Sequence, residues 1–381
     1  GAALPFQIIE TIREGRATRA AGGRDLFSFA TQKNDSEDSD KWHNKLIWGD
    51  NLLVMSSLLQ QFAGKIDLIY IDPPFATGAD FSFTVEIGES GTEVTKEQSI
   101  IEEKAYRDTW GSGADSYLSM MYSRLQLMHQ LLSAQGSIYV HLDYRMASYI
   151  RCIMDEVFGP SNFRNEIIWQ KCNSKNYTQS SYSNIHDTLL FYTKSQDYHF
   201  ADVFDDHDPD YVERSYRHME PDGRRYCLLP VHAPGIRNGA TGGLWHGEKP
   251  LAGNHWRFHP NTLDDMFNSG LIVKSENGIY AYKKYLDDSD GVRAGAIWLD
   301  AKQLPPSERV DYSTQKPEAI LSRIMEASSR SGDLVADFFC GSGTTLATAE
   351  KLGRRWIGAD LGRFAIHTTR KRLLGVPECK P

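Results

Sequence analysis

Apolar residues recur along this chain with two periods. A short run, Leu46-Ile47-Trp48, precedes a polar step, and Leu52, Met55, Leu59 and Phe62 then follow at helical spacing. Asp50 or Asn51 is placed to cap that helix, because either side chain can accept from the free N–H groups of a first turn. Ile66 through Ile71 is short, β-branched and closed by a proline pair. Strands covered by helices on both faces lose their polar alternation, so this segment reads as a buried parallel strand. Residues 88–114 read as a loop. Tyr117, Met121, Leu125, Met128 and Leu132 form the stripe of an amphipathic helix that stops near Gly136. Ser137 to His141 reads as a second strand, and a helix over about 145–157 leads to Gly159-Pro160.

Between about 170 and 300 this alternation breaks down into polar loops, aromatics and glycine-rich stretches, with an acidic patch from Asp202 to Glu213. After Pro305-Pro306 it returns. A helix from Pro317, a strand Leu334–Phe338, a glycine turn, a helix from Thr344, a strand Trp356–Ala359 and a basic C-terminal helix complete the chain. Alternating helix and strand predicts βαβ units and an α/β fold with a mostly parallel sheet built from both ends of the chain. The expected divisions are an arm and linker over 1–41, a first half over 42–170, an inserted module over 171–304 and a second half over 305–381.

Length and composition narrow the function classes. The 381 residues are 40% hydrophobic, enough for a sizeable core, and a wholly disordered or fibrous chain is excluded. No apolar run approaches the roughly 20 residues of a membrane helix. Cysteines 152, 172, 227, 340 and 379 form no C-x-x-C pair and suit free thiols in a reducing cytoplasm. There is no leader pattern, and Gly1-Ala2-Ala3 and Cys379-Lys380-Pro381 read as trimmed ends. The net charge of −8 argues mildly against a nucleic-acid binder but leaves room for a local basic face.

Two loops carry candidate chemistry. Phe339-Cys340-Gly341-Ser342-Gly343-Thr344 lies between a predicted strand and a predicted helix, where glycines let backbone approach a ligand and a helix N-terminus offers free N–H groups. Asp360, at the end of the next strand, stands where a nucleoside-binding α/β fold places an acid for ribose hydroxyls. The bland alternative is an ordinary tight turn. Asp72-Pro73-Pro74-Phe75 follows the buried strand directly. Two prolines remove donors and fix φ, leaving rigid carbonyls beside a carboxylate and an aromatic face. That grouping suits a planar group held through an edge amine; taken alone, it reads rather as a strand-ending turn with a buried Phe.

Together the loops resemble those of the amino-methyltransferases that act on DNA bases, with a D/N/S-P-P-Y/F/W loop for the base and an F-x-G-x-G loop for the cofactor. The base loop comes first, as in their permuted beta group. Trp48-Gly49-Asp50-Asn51, Ile71 to Gly78, Gly136 to Asp143, Asn254-His255-Trp256 and Ser313 to Pro317 extend the likeness over roughly 42–375. It is similar above all to the modification subunits of type III restriction systems, which methylate adenine. Phe75 stands where many adenine enzymes carry Tyr, and Phe338 where relatives often have Pro.

The resemblance implies a Rossmann-like S-adenosylmethionine-dependent methyltransferase fold of permuted motif order, with a target-recognition module inserted. It implies that Asp72, Pro73, Pro74 and Phe75 grip a flipped adenine in duplex DNA. Phe339 to Thr344 and Asp360 would hold S-adenosylmethionine, Asp50 its adenine, and Gln315, Lys316 and Pro317 would line the same pocket. Cys340 reads as a packing residue, since no covalent enzyme intermediate is needed. DNA contacts are expected from Lys171, Lys175, Arg214, Arg217, Arg237 and Trp256, with Arg224, Arg225 and Arg257 nearby, although each could simply solvate a surface. The run Arg370-Lys371-Arg372 reads as a helix face. His255 and His259 lack completing ligands, so no metal is expected. A homodimer and a restriction or accessory subunit are further partners the resemblance admits. Alternatives left open are N4-cytosine methylation by the same architecture, a catalytically idle DNA-recognition subunit, and RNA modification.

Overall fold

The computed structural model describes residues 6–7, 42–74, 83–87, 92–96, 114–174, 180–275, 278–301, 304–310, 312 and 314–376, with backbone only at 83–87, 92–96 and 114. Phe75, Lys175, Ser313, Cys379 and nearly all of the 1–41 arm lie outside the described residues. Phe83–Ile87 and Thr92–Lys96 pair antiparallel, so part of the expected 88–114 loop is a strand.

The chain divides into two compact units, Gly1–Val203 with Gly295–Pro381, and Phe204–Ala294. The larger holds an eight-stranded sheet of β1 (Lys45–Trp48), β2 (Ile66–Ile71), β3 (Leu132–Leu142), β4 (Phe163–Gln170), β5 (His186–Thr193), β6 (Ile297–Trp298), β7 (Leu334–Asp337) and β8 (Arg355–Asp360). Their order is β1-β8-β7-β2-β3-β5-β4-β6. The first five are mutually parallel, while β5 runs antiparallel to both β3 and β4. As the α/β reading requires, both ends of the chain contribute to one sheet.

Helices cover both faces. On one lie α1 (Asn51–Phe62), α2 (Ala114–Leu131) and α3 (Ala147–Phe158). Met55, Leu58, Tyr117, Met121, Leu125, Ile150 and Met154 pack there against Ile69, Ile71, Ile138 and Val140. The buried stripe of α1 runs through Val54, Met55, Leu58 and Phe62, one step round from the spacing expected. On the other face, Ile320, Leu321, Ile324 and Met325 of α4 (Glu318–Ser328) and Leu346 and Ala349 of α5 (Thr344–Lys351) cover Leu68, Tyr70 and Tyr139. Each such side chain contributes roughly 1.5–3 kcal/mol by leaving water. The helix α6 (Arg363–Leu373) closes the chain.

The smaller unit lies within the 171–304 span read as an insertion. Segments His218–Met219, Arg225–Pro230, Ile272–Lys274 and Tyr280–Tyr285 form an antiparallel sheet. Its core is Val231, Trp245, Trp256, Leu263, Ile272 and Tyr280. Trp256 was expected to meet DNA; it is instead 1% exposed, edge-on to Trp245 at 5.4 Å. Its indole N–H donates to Gly243 O at 2.9 Å. An aromatic with its one donor satisfied is a core residue. Trp256→Ala should therefore destabilise this unit by roughly 3–5 kcal/mol, read as an earlier unfolding transition in urea.

Candidate functional site

β2 lies beside β7, with Leu68 opposite Val335 and Ile69 opposite Ala336. From β2 the chain proceeds to β3 on one side, and from β7 to β8 on the other. The strand order therefore reverses between β2 and β7, and ligands of open α/β sheets gather beyond the carboxyl ends at such a point. Asp72-Pro73-Pro74 and the glycine loop both emerge there. A third segment joins them: the Lys316 ammonium ion-pairs with the Asp72 carboxylate, both side chains being mostly buried. The Lys316 carbonyl accepts from Thr344 Oγ1 at 3.3 Å. The other carboxylate oxygen, Asp72 Oδ1, is buried without a hydrogen-bond partner among the described residues. A buried charged acceptor left open costs free energy, so it calls for a donor beyond the described residues.

The glycine loop is held by its own backbone. Gly341 and Gly343 take φ of +49° and +75°, and a Cβ on Gly343 would stand 2.7 Å from Thr369. Both conformation and space demand glycine there. Thr369 Oγ1 donates to Gly341 O at 2.8 Å. Asp360 accepts from Gly341 N at 2.9 Å and from Gly362 N at 2.8 Å, which fastens the loop to the end of β8. Phe339 is half-buried, and Ser342 pairs with Thr344 at 3.1 Å. Cys340 is buried, and burial followed by the charges of Asp360 and Asp337 pushes its thiol up. A thiol held protonated fits packing, not attack. Tyr312 stacks on Phe364 at 5.9 Å, and its ring stands 3.4 Å from where a Gly341 Cβ would be. Neither aromatic was singled out from the sequence, because no periodicity or spacing marks them.

The remaining residues expected at the cofactor frame this crevice. Asp50 caps α1 by accepting from Leu52 N at 2.8 Å and also meets Arg124. Asn51 Nδ2 donates to Phe338 O at 3.0 Å. Gln315 spends its amide on the loop before it, accepting from Val310 N at 3.0 Å and donating to Glu308 O. Pro317 is buried at the start of α4. Arg372 departs from the expected helix face: it donates to Thr344 Oγ1 at 2.9 Å and to Glu318 at 2.8 Å, with 7% of its side chain exposed. It ties α6 to the first turns of α5 and α4.

Of the expected DNA contacts, Arg214, Arg217 and Arg237 are exposed. Lys171 instead pairs with buried Asp187 at 2.7 Å. Arg224 meets Asp287 and Asp288, while Arg225 and Arg257 donate to backbone carbonyls. His255 is engaged with Gly235 O, and His259 caps the helix Pro260–Asn268. Among the described residues no group of three or more His, Cys, Asp or Glu could hold a metal.

A family model described as DNA methylase matches residues 66–371. The chain is 38% identical over 331 residues to the type II methyltransferase M.EcaI of Enterobacter cloacae, across 86% of this chain and 69% of that protein. It is 26% identical over 385 residues to the Mod subunit of the type III restriction-modification enzyme EcoP15I of Escherichia coli, across 84% of this chain and 58% of that subunit. The chain thus spans a little over half the length of that subunit. Among solved structures, the M1.HpyAVI–SAM complex matches with a TM-score of 0.44 at 17% identity, covering 86% of this chain and 98% of that one.

The group least visible in the sequence is Asp337, at the end of β7. It is buried, accepting from Thr345 Oγ1 at 2.6 Å and from Phe339 N at 2.9 Å. Burial outweighs those bonds and, helped by the charges of Asp72 and Asp360, pushes its carboxyl up to about 7. The folded state then holds a proton the unfolded chain releases, so this group's stabilisation is complete below pH 4 and is lost as pH rises towards 7. Asp337→Asn should gain stability over the native chain across that window, on the order of a few kcal/mol at pH 8, in urea melts run at several pH values.

Proposed function

This chain belongs to the DNA methylase family, and we propose that it transfers a methyl group from S-adenosylmethionine to the N6 amine of an adenine flipped out of duplex DNA. The observation that carries the reading is the open, buried acceptor Asp72 Oδ1 in the crevice that the glycine loop also enters. An aromatic amine is a weak nucleophile because its lone pair is delocalised into the ring. Donation of its hydrogens to the Asp72 carboxylate and the Pro73 carbonyl favours the pyramidal nitrogen that attacks, and a bond to a charged acceptor is worth about 1.5–3 kcal/mol. The Lys316 ammonium occupies Oδ2, which leaves Oδ1 to the base. The Pro pair keeps both acceptors preorganised.

Bound S-adenosylmethionine supplies a sulfonium methyl that needs no further activation. The chain's part is to place it. Gly341 and Gly343 admit it close to backbone, Asp360 presents its carboxylate at the end of β8 for ribose hydroxyls, and the Tyr312–Phe364 pair offers a flat wall. Extrusion of the base costs a few kcal/mol. Phe75 would return part of that by stacking, and Arg214, Arg217 and Arg237 would meet phosphates. Asp rather than Ser before the prolines favours adenine over cytosine.

Methylation of plasmid DNA with isotope-labelled cofactor, followed by digestion to nucleosides, should give N6-methyladenine; N4-methylcytosine would transfer the reading to the cytosine amine. Asp72→Ala should lower kcat by roughly 10²-fold or more with the cofactor Kd unchanged in calorimetry. Asp360→Ala should weaken that Kd by about tenfold, the loss of one charge-assisted bond.

A further inference from the structure

A row of buried polar groups crosses the sheet beside Asp72 and is not used by the chemistry above. Tyr70 Oη lies 2.9 Å from His141 Nδ1, His141 Nε2 lies 3.4 Å from Asp187 Oδ2, and Asp187 Oδ1 accepts from Lys171 Nζ at 2.7 Å. Tyr70, His141 and Asp187 are each 2% exposed or less, and only Lys171, at the outer end, reaches solvent. The row runs over β2, β3 and β5 to the end of β4, among side chains that are otherwise apolar and aromatic. The register pairs Tyr70 with Tyr139 and Ile71 with Val140, so His141 stands level with Asp72 in the neighbouring strand.

Protonation in the row follows from its chemistry. Burial would raise Asp187, but its contacts with His141 and Lys171 bring it down to about 2, so it is an anion. An anion only accepts, which places a proton on His141 Nε2. Burial, and then the charges of Asp72, Asp337 and Asp187, push the Tyr70 hydroxyl up, so it too keeps its proton and donates to Nδ1. Every bond thus has one direction, from Tyr70 to His141 to Asp187. Three apolar side chains of similar volume would fill the same space without the cost of desolvating them. Position gives the row a use: its inner end is two residues before Asp72, on the strand whose end sets that carboxylate.

We propose that Tyr70, His141 and Asp187 are positioning residues that act as one unit to hold the end of β2, and with it Asp72, in the geometry for methyl transfer. The inference rests on the methyl-transfer reading above. A displacement of Asp72 by a fraction of an ångström leaves binding intact and weakens only the attack, so the effect falls on turnover.

The test uses the full chain, with Tyr70→Phe, Asp187→Asn and the double variant assayed for kcat and for KM of DNA and of S-adenosylmethionine. Tyr70→Phe removes a single oxygen from a packed ring and preserves volume, so it reports even if Asp187→Asn does not fold. Each single variant should lower kcat on the order of tenfold to a hundredfold, with both KM values within about threefold. The double variant should lose no more than the worse single, as groups acting as a unit do. Unchanged kcat in Tyr70→Phe, losses carried by KM, or losses that multiply in the double variant would each overturn the proposal. An inactive native chain would instead defeat the methyl-transfer reading itself.

Discussion

Parallel pairing of β2 with β7 is the constraint from which the rest of the site follows. The two strands come from opposite ends of the sequence, and no local propensity brings them together. Asp67, a carboxylate inside an apolar strand, makes sense only through this pairing, since its Oδ2 accepts from Leu334 N at 2.9 Å. Bulk apolar burial would tolerate several neighbours for β2, whereas a directed bond at the entrance of β7 favours one. Once the strands are adjacent, the carboxyl ends of both discharge their loops into one crevice. The proline loop and the glycine loop then need no further device to meet.

That convergence concentrates negative charge. Asp72, Asp337 and Asp360 all lie at the ends of β2, β7 and β8, and the charges of Asp72 and Asp360 raise the cost of ionising Asp337. The chain relieves this in three ways. Lys316 brings a cation to Asp72, Asp360 is solvated by two backbone amides, and Asp337 is driven towards its neutral form by burial. Three identical carboxylates thereby acquire different characters from their surroundings alone, which is the usual route to divided roles in one site.

Much of the frame was legible in the sequence. Continuous apolar strands, stripes on α2 and the proline and glycine punctuation marked the βαβ units, because those signals arise from burial within single elements. The hairpin of β4 and β5 was not legible. Arg164, Asn165 and Glu166 open one strand and His186-Asp187 the other, so charged residues mask the apolar run Leu189 to Tyr192. Side-chain roles were hardest to read where two distant segments meet. Lys316 was expected beside the cofactor yet lies on Asp72, Arg372 was expected in solvent yet joins three helices, and Lys171 closes a buried row. Such ion pairs depend on tertiary approach, which one-dimensional spacing does not encode. Trp256 shows the same limit in reverse, since exposure of an aromatic cannot be read from its neighbours in sequence.

Several residues around the crevice serve the frame, and in the proposed function they would face the cofactor as well. Asp50 caps a helix, Gln315 braces a loop and Asp360 anchors a turn, and each does so with backbone partners already in place. A side chain fixed in this manner loses no rotamer freedom when a ligand arrives, so the entropy of ordering it was spent on folding. The cost appears as low tolerance: changing such a residue perturbs the loop as well as the contact. Asp72 differs from them. Among the described residues its one side-chain partner is the Lys316 ammonium on one oxygen, and the second oxygen is buried. A buried acceptor in rigid surroundings would give the proposed binding step its direction, because a group that brings its own hydrogen-bond donor is favoured there.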